Sequence, residues 1–296
     1  MPLGLDYGLI AAVCWGSTDV MAAIAGRRFG SLRVVAVAQV TSLLVAVGVA
    51  VWLGVEIPAD PLVIVASAIF GMMAAGAYLA FFTALRIGPL AVVSPVVAAY
   101  GGLTVVLAVV LRGESLSPIQ ALGAAIATLG VILTGIVFDG GWRGTRVVGR
   151  GVFFSLIALT LFAFLTVGLA TPIEAAGWLP VLLVSRLANA GTIWTVLAVV
   201  MLARPRGSDT LLASSAPRSI RGLAAAGLAG VLDIVGFVAF AIGLEVAPTW
   251  IVGLASSFGP VVAVIVAVVL WGERLRSTQW LGLAGIAAGL AAVALP

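Results

Sequence analysis

The sequence predicts an all-α integral membrane protein, with ten transmembrane helices arranged as two inverted-topology repeats of five. Three observations lead there. Of 296 residues, 63% are hydrophobic and only 9% are charged, whereas a soluble domain is about a quarter charged. The apolar runs are continuous and near the ~20 residues that cross a hydrocarbon core. They show no period-two alternation, which argues against a transmembrane barrel. Finally, the second half of the chain repeats the first.

The spans follow from the breaks between apolar runs. RRFGSLR (27–33), EIPADP (56–61), RIGP (86–89), RGESLS (112–117) and DGGWRGTRVVGR (139–150) separate the first helices. TPIEAAG (171–177), the long polar stretch 204–221, LEVAP (244–248) and GERLRS (272–277) separate the rest. The predicted helices are 7–25, 34–54, 62–85, 90–111, 118–138, 151–170, 178–203, 222–243, 249–271 and 278–295. The N-terminus has no basic leader, and its first apolar run contains Asp19, so it reads as a retained helix and not a cleaved signal.

Residues 105–130 lie on 264–289 at an offset of 159 without a gap, with thirteen of 26 positions identical. The shared Gly-Glu-x-Leu turn and the Gln120/Gln279 match are harder to obtain by chance than shared alanines and valines. The same offset places Gly71 on Gly230, Tyr78 on Phe237, Phe81 on Phe240 and Pro89 on Pro248. Helices three to five therefore recur as eight to ten. Five is odd, so equivalent segments run in opposite directions, an architecture common among secondary transporters. The expected units are residues 1–138 and 151–296, joined by a segment at 139–150.

All fifteen basic residues are Arg, and there is no His. Thirteen of the fifteen Arg follow odd-numbered helices, which by the positive-inside rule puts both termini outside the cytoplasm of a bacterial inner membrane. These Arg are scattered over short loops, so the basic pI does not indicate nucleic-acid binding. Cys14 is the sole cysteine, which leaves no intrachain disulfide and no multi-cysteine metal site. No cofactor or metal is expected. No phosphate-binding loop is present, which excludes ATP hydrolysis by this chain alone. An intramembrane enzyme would want paired acids, His or metal ligands at fixed spacing. The two midspan acids are 214 residues apart and His is absent.

CWGSTDV in the first helix, the Gly-Pro between helices three and four, LRGESLSPIQALGAAIATLGVIL and LWGERLRSTQWLGLAGIAAGLAAV together resemble the drug/metabolite transporter superfamily, EamA type. The resemblance spans essentially the whole chain. It implies a ten-helix secondary transporter of metabolites, without specifying the solute. Ten-helix members are usually drawn with cytoplasmic termini, and the Arg asymmetry here points the other way.

Three ionisable residues fall well inside spans: Asp19, Arg186 and Asp233. Both acids lie roughly 15–18 Å from the start of their helices. A charge at a helix centre costs at least about 2.5–3.5 kcal/mol, so it needs a cavity, a partner or neutralisation. Two readings stay open: an acid that serves a transport cycle, or an acid paired with Arg186 that only stabilises packing. Trp15 lies one turn before Asp19, so an indole face and a carboxylate could meet one cationic ligand. Ser17 adds a hydroxyl, although in membrane helices these usually bond back to the carbonyl one turn earlier.

Gly230, Asp233, Phe237 and Phe240 share a face, and the repeat sets Tyr78 and Phe81 opposite. Tyr78, Tyr100 and Phe237 are candidate walls of a central site. Arg186, followed by Asn189, either snorkels to the interface, binds an anionic group, or pairs with an Asp. Gln39 is its counterpart if helices two and seven are aligned. Pro95 in helix four and Pro260 in helix nine are candidate bending points. Trp52, Trp178, Trp271 and Trp280 sit at span ends, as interface anchors do. The functional expectation is alternating-access transport, by export or exchange, of a small amino acid-like or cationic solute, with Asp19 or Asp233 carrying a coupling proton. A multidrug efflux carrier is the alternative within this class, and an enzyme or channel outside it. The expected partners are a small-molecule solute and lipid, with the chain a monomer or homodimer.

Overall fold

The computed structural model describes residues 3–29, 31–58, 60–87, 93, 96–134, 150–203, 220–259, 261–262, 265 and 277–295. Within them are ten helices: α1 (Leu3–Phe29), α2 (Ser31–Leu53), α3 (Pro61–Ile87), α4 (Tyr100–Arg112), α5 (Pro118–Thr134), α6 (Arg150–Ala176), α7 (Trp178–Leu202), α8 (Ile220–Val246), α9 (Thr249–Ser256) and α10 (Ser277–Val293). Each falls on one predicted span. Outside the described residues lie the Gly-Pro at 88–89, Pro95, the joining segment up to 149, Pro260, Trp271, the second Gly-Glu turn at 272–273, and Arg143, Arg146, Arg204, Arg206, Arg218, Arg274 and Arg276.

Five stretches are long and apolar enough to cross a membrane, in α2, α3, α6, α7 and α8. Shorter apolar helices occupy Val96–Arg112, Pro118–Leu133 and Ser277–Val293. Large apolar side chains point outward along them: Val51, Trp52, Leu62, Val110, Leu202 and Trp280 are all exposed. An outer surface of this kind suits lipid and not water.

The packing carries the repeat. α1 lies against α8 as α6 lies against α3, and α2 against α8 as α7 against α3. α1 also meets α9 as α6 meets α4. The equivalent pairs α2/α7, α4/α9 and α5/α10 touch one another across the axis between the repeats. Two glycines fix the register. A Cβ at Gly71 would overlap the Ser185 carbonyl and crowd Ala188, and a Cβ at Gly230 would overlap the Ala38 carbonyl and crowd Thr41. The offset between Ser185 and Ala38, and between Ala188 and Thr41, is the 147 that separates Arg186 from Gln39. Helices one and two therefore map onto six and seven at 147, while three to five map onto eight to ten at 159. The difference lies in the longer connection between α7 and α8.

The first Gly-Glu turn has a visible structural task. Gly113 adopts a left-handed conformation, φ 67°, and its N–H closes onto the Val109 carbonyl, a conformation glycine adopts without steric cost. Glu114 then accepts the free N–H groups of Thr249 and Trp250, at 3.1 and 3.0 Å. A carboxylate thus caps the start of α9, where unpaired donors and the helix dipole favour an anion. Arg112 holds Glu114 through Nε and reaches Glu174 and Thr171 on α6.

Helix nine is interrupted near its predicted bending point. The helix that starts at Thr249 breaks after Ser256: the N–H groups of Ser257 and Phe258 bond to Leu254 and Ala255, three residues back, and Gly259, Val261, Val262 and Ile265 are helical again. Pro260 brings no N–H to the Ser256 carbonyl, so the α pattern cannot run through this point.

Candidate functional site

A partly open cavity forms where α1, α3, α4, α6, α7, α8 and α9 converge. Its lining residues come largely as repeat mates: Trp15 with Phe162, Asp19 with Thr166, Ala74 with Asp233, Tyr78 with Phe237, Phe81 with Phe240, and Tyr100 with Gly259. The cavity therefore lies on the axis relating the repeats.

The mates do not share charge. Arg186 on α7 donates from Nη1 to Asp233 Oδ2 on α8 at 2.6 Å and to Gln39 Oε1 on α2 at 3.2 Å. Ser42 on α2 donates to Asp233 Oδ2 at 3.2 Å, and Tyr78 on α3 donates to Oδ1 at 2.7 Å. The Phe237 ring lies 4.1 Å from the guanidinium carbon. Both charged side chains are about 97–98% buried. A buried pair survives desolvation only with good geometry and satisfied lone pairs, and Asp233 meets this with an ion pair and two hydroxyl donors. Trp15 Nε1 donates to the Asp233 carbonyl at 3.3 Å, tying α1 to the same turn of α8.

Asp19 is the opposite case. It lines the cavity, half-buried, and has no hydrogen-bond or ion-pair partner among the described residues. Asp233 is thus paired with Arg186, whereas Asp19 has no such partner among the described residues. The interface-snorkelling reading of Arg186 is overturned, because the side chain is buried and ion-paired.

Of the other candidates, Tyr78, Phe237, Asn189 and Tyr100 all line the cavity, and the Tyr100 hydroxyl lies 2.9 Å from the Ser256 hydroxyl. Ser17 is not brought to the lining, and its hydroxyl donates to the Val13 carbonyl one turn back at 2.7 Å. Sequence reasoning missed Ser42, Phe162, Thr166, Ser256 and Ser257. The 147 offset would have found three of them, since it places Ser42 on Asn189, Phe162 on Trp15 and Thr166 on Asp19.

Polytopic helices in two antiparallel repeats, with a cavity on their axis, define a membrane transporter in architecture. The family model described as the EamA-like transporter family matches residues 2–136 and again 149–295. The chain belongs to that family, and is a membrane transporter of the drug/metabolite superfamily. No curated protein matches it. A solved structure titled only "Crystal structure of protein" shares the fold at a TM-score of 0.78 and 19% identity, over 98% of this chain and 96% of that one.

Proposed function

We propose that this chain is a secondary transporter of a small organic solute, an exporter or exchanger, working by alternating access about the axial cavity. The observation that carries the reading is the unequal state of the two intramembrane acids. Asp233 cannot leave Arg186 without stranding a buried charge. Asp19 is held by nothing among the described residues and faces the cavity, so it is free to take a proton or a cationic group. Protonation would let the carboxyl pass through a closed state without the cost of a bare charge. Trp15, Tyr78, Tyr100 and Phe237 form walls that favour cationic and amphipathic solutes. Arg186 and Asn189 supply the polar side.

The working units are the five-helix repeats 1–138 and 151–296, rocking against one another about this site. The chain acts as a monomer or homodimer in a bacterial inner membrane with both termini outside the cytoplasm, on the strength of the Arg asymmetry. The aromatic lining favours multidrug efflux as the second reading.

Counterflow in proteoliposomes tests the proposal, with amino acids, amines, nucleosides and sugars as labelled solutes. Saturable uptake accelerated by the same solute on the opposite side is expected. Conductance without saturation would overturn the carrier in favour of a channel.

A further inference from the structure

Arg186 presents an unused face. Its Nη1 edge is committed to Asp233 and Gln39, while Nε and Nη2 are buried and have no hydrogen-bond partner among the described residues. These two nitrogens form the side-on fork of the guanidinium, the pair that matches the two oxygens of a carboxylate. Phe237 covers the guanidinium face but offers no acceptor. One turn along α7, Asn189 Oδ1 is likewise buried and unpartnered. Both residues line the cavity.

Symmetry accounts for the second orphan. Ser42, the repeat mate of Asn189, bonds Asp233. The mate of Asp233 is Ala74, which has no polar atom to offer Asn189. Buried polar groups in native structures are nearly always satisfied, so two neighbouring orphans on one cavity wall point to a ligand.

We propose that the Nε/Nη2 fork of Arg186, with the Asn189 carboxamide beside it, is the subsite for a carboxylate on the transported solute. This rests on the carrier reading above and narrows it to carboxylate-bearing solutes. A phosphate dianion does not suit the wall. The guanidinium already serves Asp233, no second basic residue lines the cavity among the described residues, and Asp19 faces the same space. A monoanion whose own cationic or N–H group reaches Asn189 or Asp19 balances the charge.

The test is calorimetric titration of the purified full chain in detergent with three matched sets of probes. L-phenylalanine, L-leucine and L-alanine each bring the corresponding amine without the carboxylate and acid without the amine. In the wild type, at least one carboxylate-bearing probe is expected to bind more tightly than its matched amine. Arg186→Lys keeps a cation opposite Asp233 but removes the fork, and is expected to weaken carboxylate-bearing probes about tenfold or more while leaving the amines unchanged. Asn189→Ala leaves the ion pair intact, so it decides the matter if Arg186→Lys does not fold; loss of its Oδ1 acceptor is expected to weaken the amino acids more than the matched acids without the amine. Wild-type affinity for carboxylates in both variants overturns the subsite, as does wild-type binding of amines alone or of no carboxylate at millimolar concentration. Counterflow of amines alone would leave the carrier standing without the subsite, whereas absence of counterflow with every solute would remove the carrier itself.

Discussion

The two repeats share a frame and divide the chemistry. Around the axis, the first contributes Trp15, Asp19, Gln39, Ser42, Ala74 and Tyr78, and the second contributes Phe162, Thr166, Arg186, Asn189, Asp233 and Phe237 at the matching positions. Backbone contacts are preserved between them, down to which carbonyl each glycine touches. Charge is not preserved. The second repeat holds a closed Arg186–Asp233 pair braced by three side chains of the first, while the first holds Asp19, without a partner among the described residues. On the proposed reading, symmetric packing supplies two equivalent arrangements of the bundle and asymmetric side chains supply one solute site.

Breaking the pair should separate the repeats most. Arg186→Ala leaves Asp233 buried without its cation and is expected to cost about 3–5 kcal/mol, read as a large fall in the thermal denaturation midpoint in detergent. Gln39→Ala, at the mate position, removes one charge-assisted hydrogen bond and should cost about 1.5–3 kcal/mol. Equal losses would mean that the charge asymmetry has no structural weight. Arg186→Met combined with Asp233→Leu is expected to recover most of the loss, as buried pairs replaced by apolar groups commonly do.

The shared frame is sharpened by the glycines. Gly71→Ala and Gly230→Ala each push a methyl into a neighbouring carbonyl, and each is expected to cost about 1–3 kcal/mol. The two costs should agree, and a strong inequality would break the register that sets the axis. The smallest effect is expected at the turn between α4 and α5. Glu114→Gln leaves one acceptor where Thr249 and Trp250 use two, and removes the charge, for a loss of about 0.5–1.5 kcal/mol by the same denaturation measurement.

The ten helices were legible because each break carries Arg, Pro, Gly or acid within an otherwise apolar chain. The 159 offset was legible because α5 and α10 pack against one another and keep their small residues and turn. The 147 offset was faint, since α2 and α7 share apolar character and little identity. Arg186 and Asp233 are 47 residues apart on adjacent helices, and spacing alone cannot choose between pairing and solvation. Counting depth along α7 suggested that Arg186 could reach the interface. Its guanidinium instead turns inward to Asp233, which spacing along one helix does not reveal. The interruption after Ser256 was signalled by Gly259-Pro260, read as a bending point inside the span, and helical residues resume at Gly259.

The proposed transport cycle assigns the coupling proton to Asp19, while Asp233 stays paired with Arg186. Proton-gradient-driven uptake in proteoliposomes, using a solute that shows counterflow, tests it most directly with Asp19→Asn beside its mate variant Thr166→Ala. The account predicts that Asp19→Asn inserts and folds as the wild type does but loses the response to the gradient, while Thr166→Ala keeps it. Wild-type rate and gradient dependence in Asp19→Asn would contradict the account.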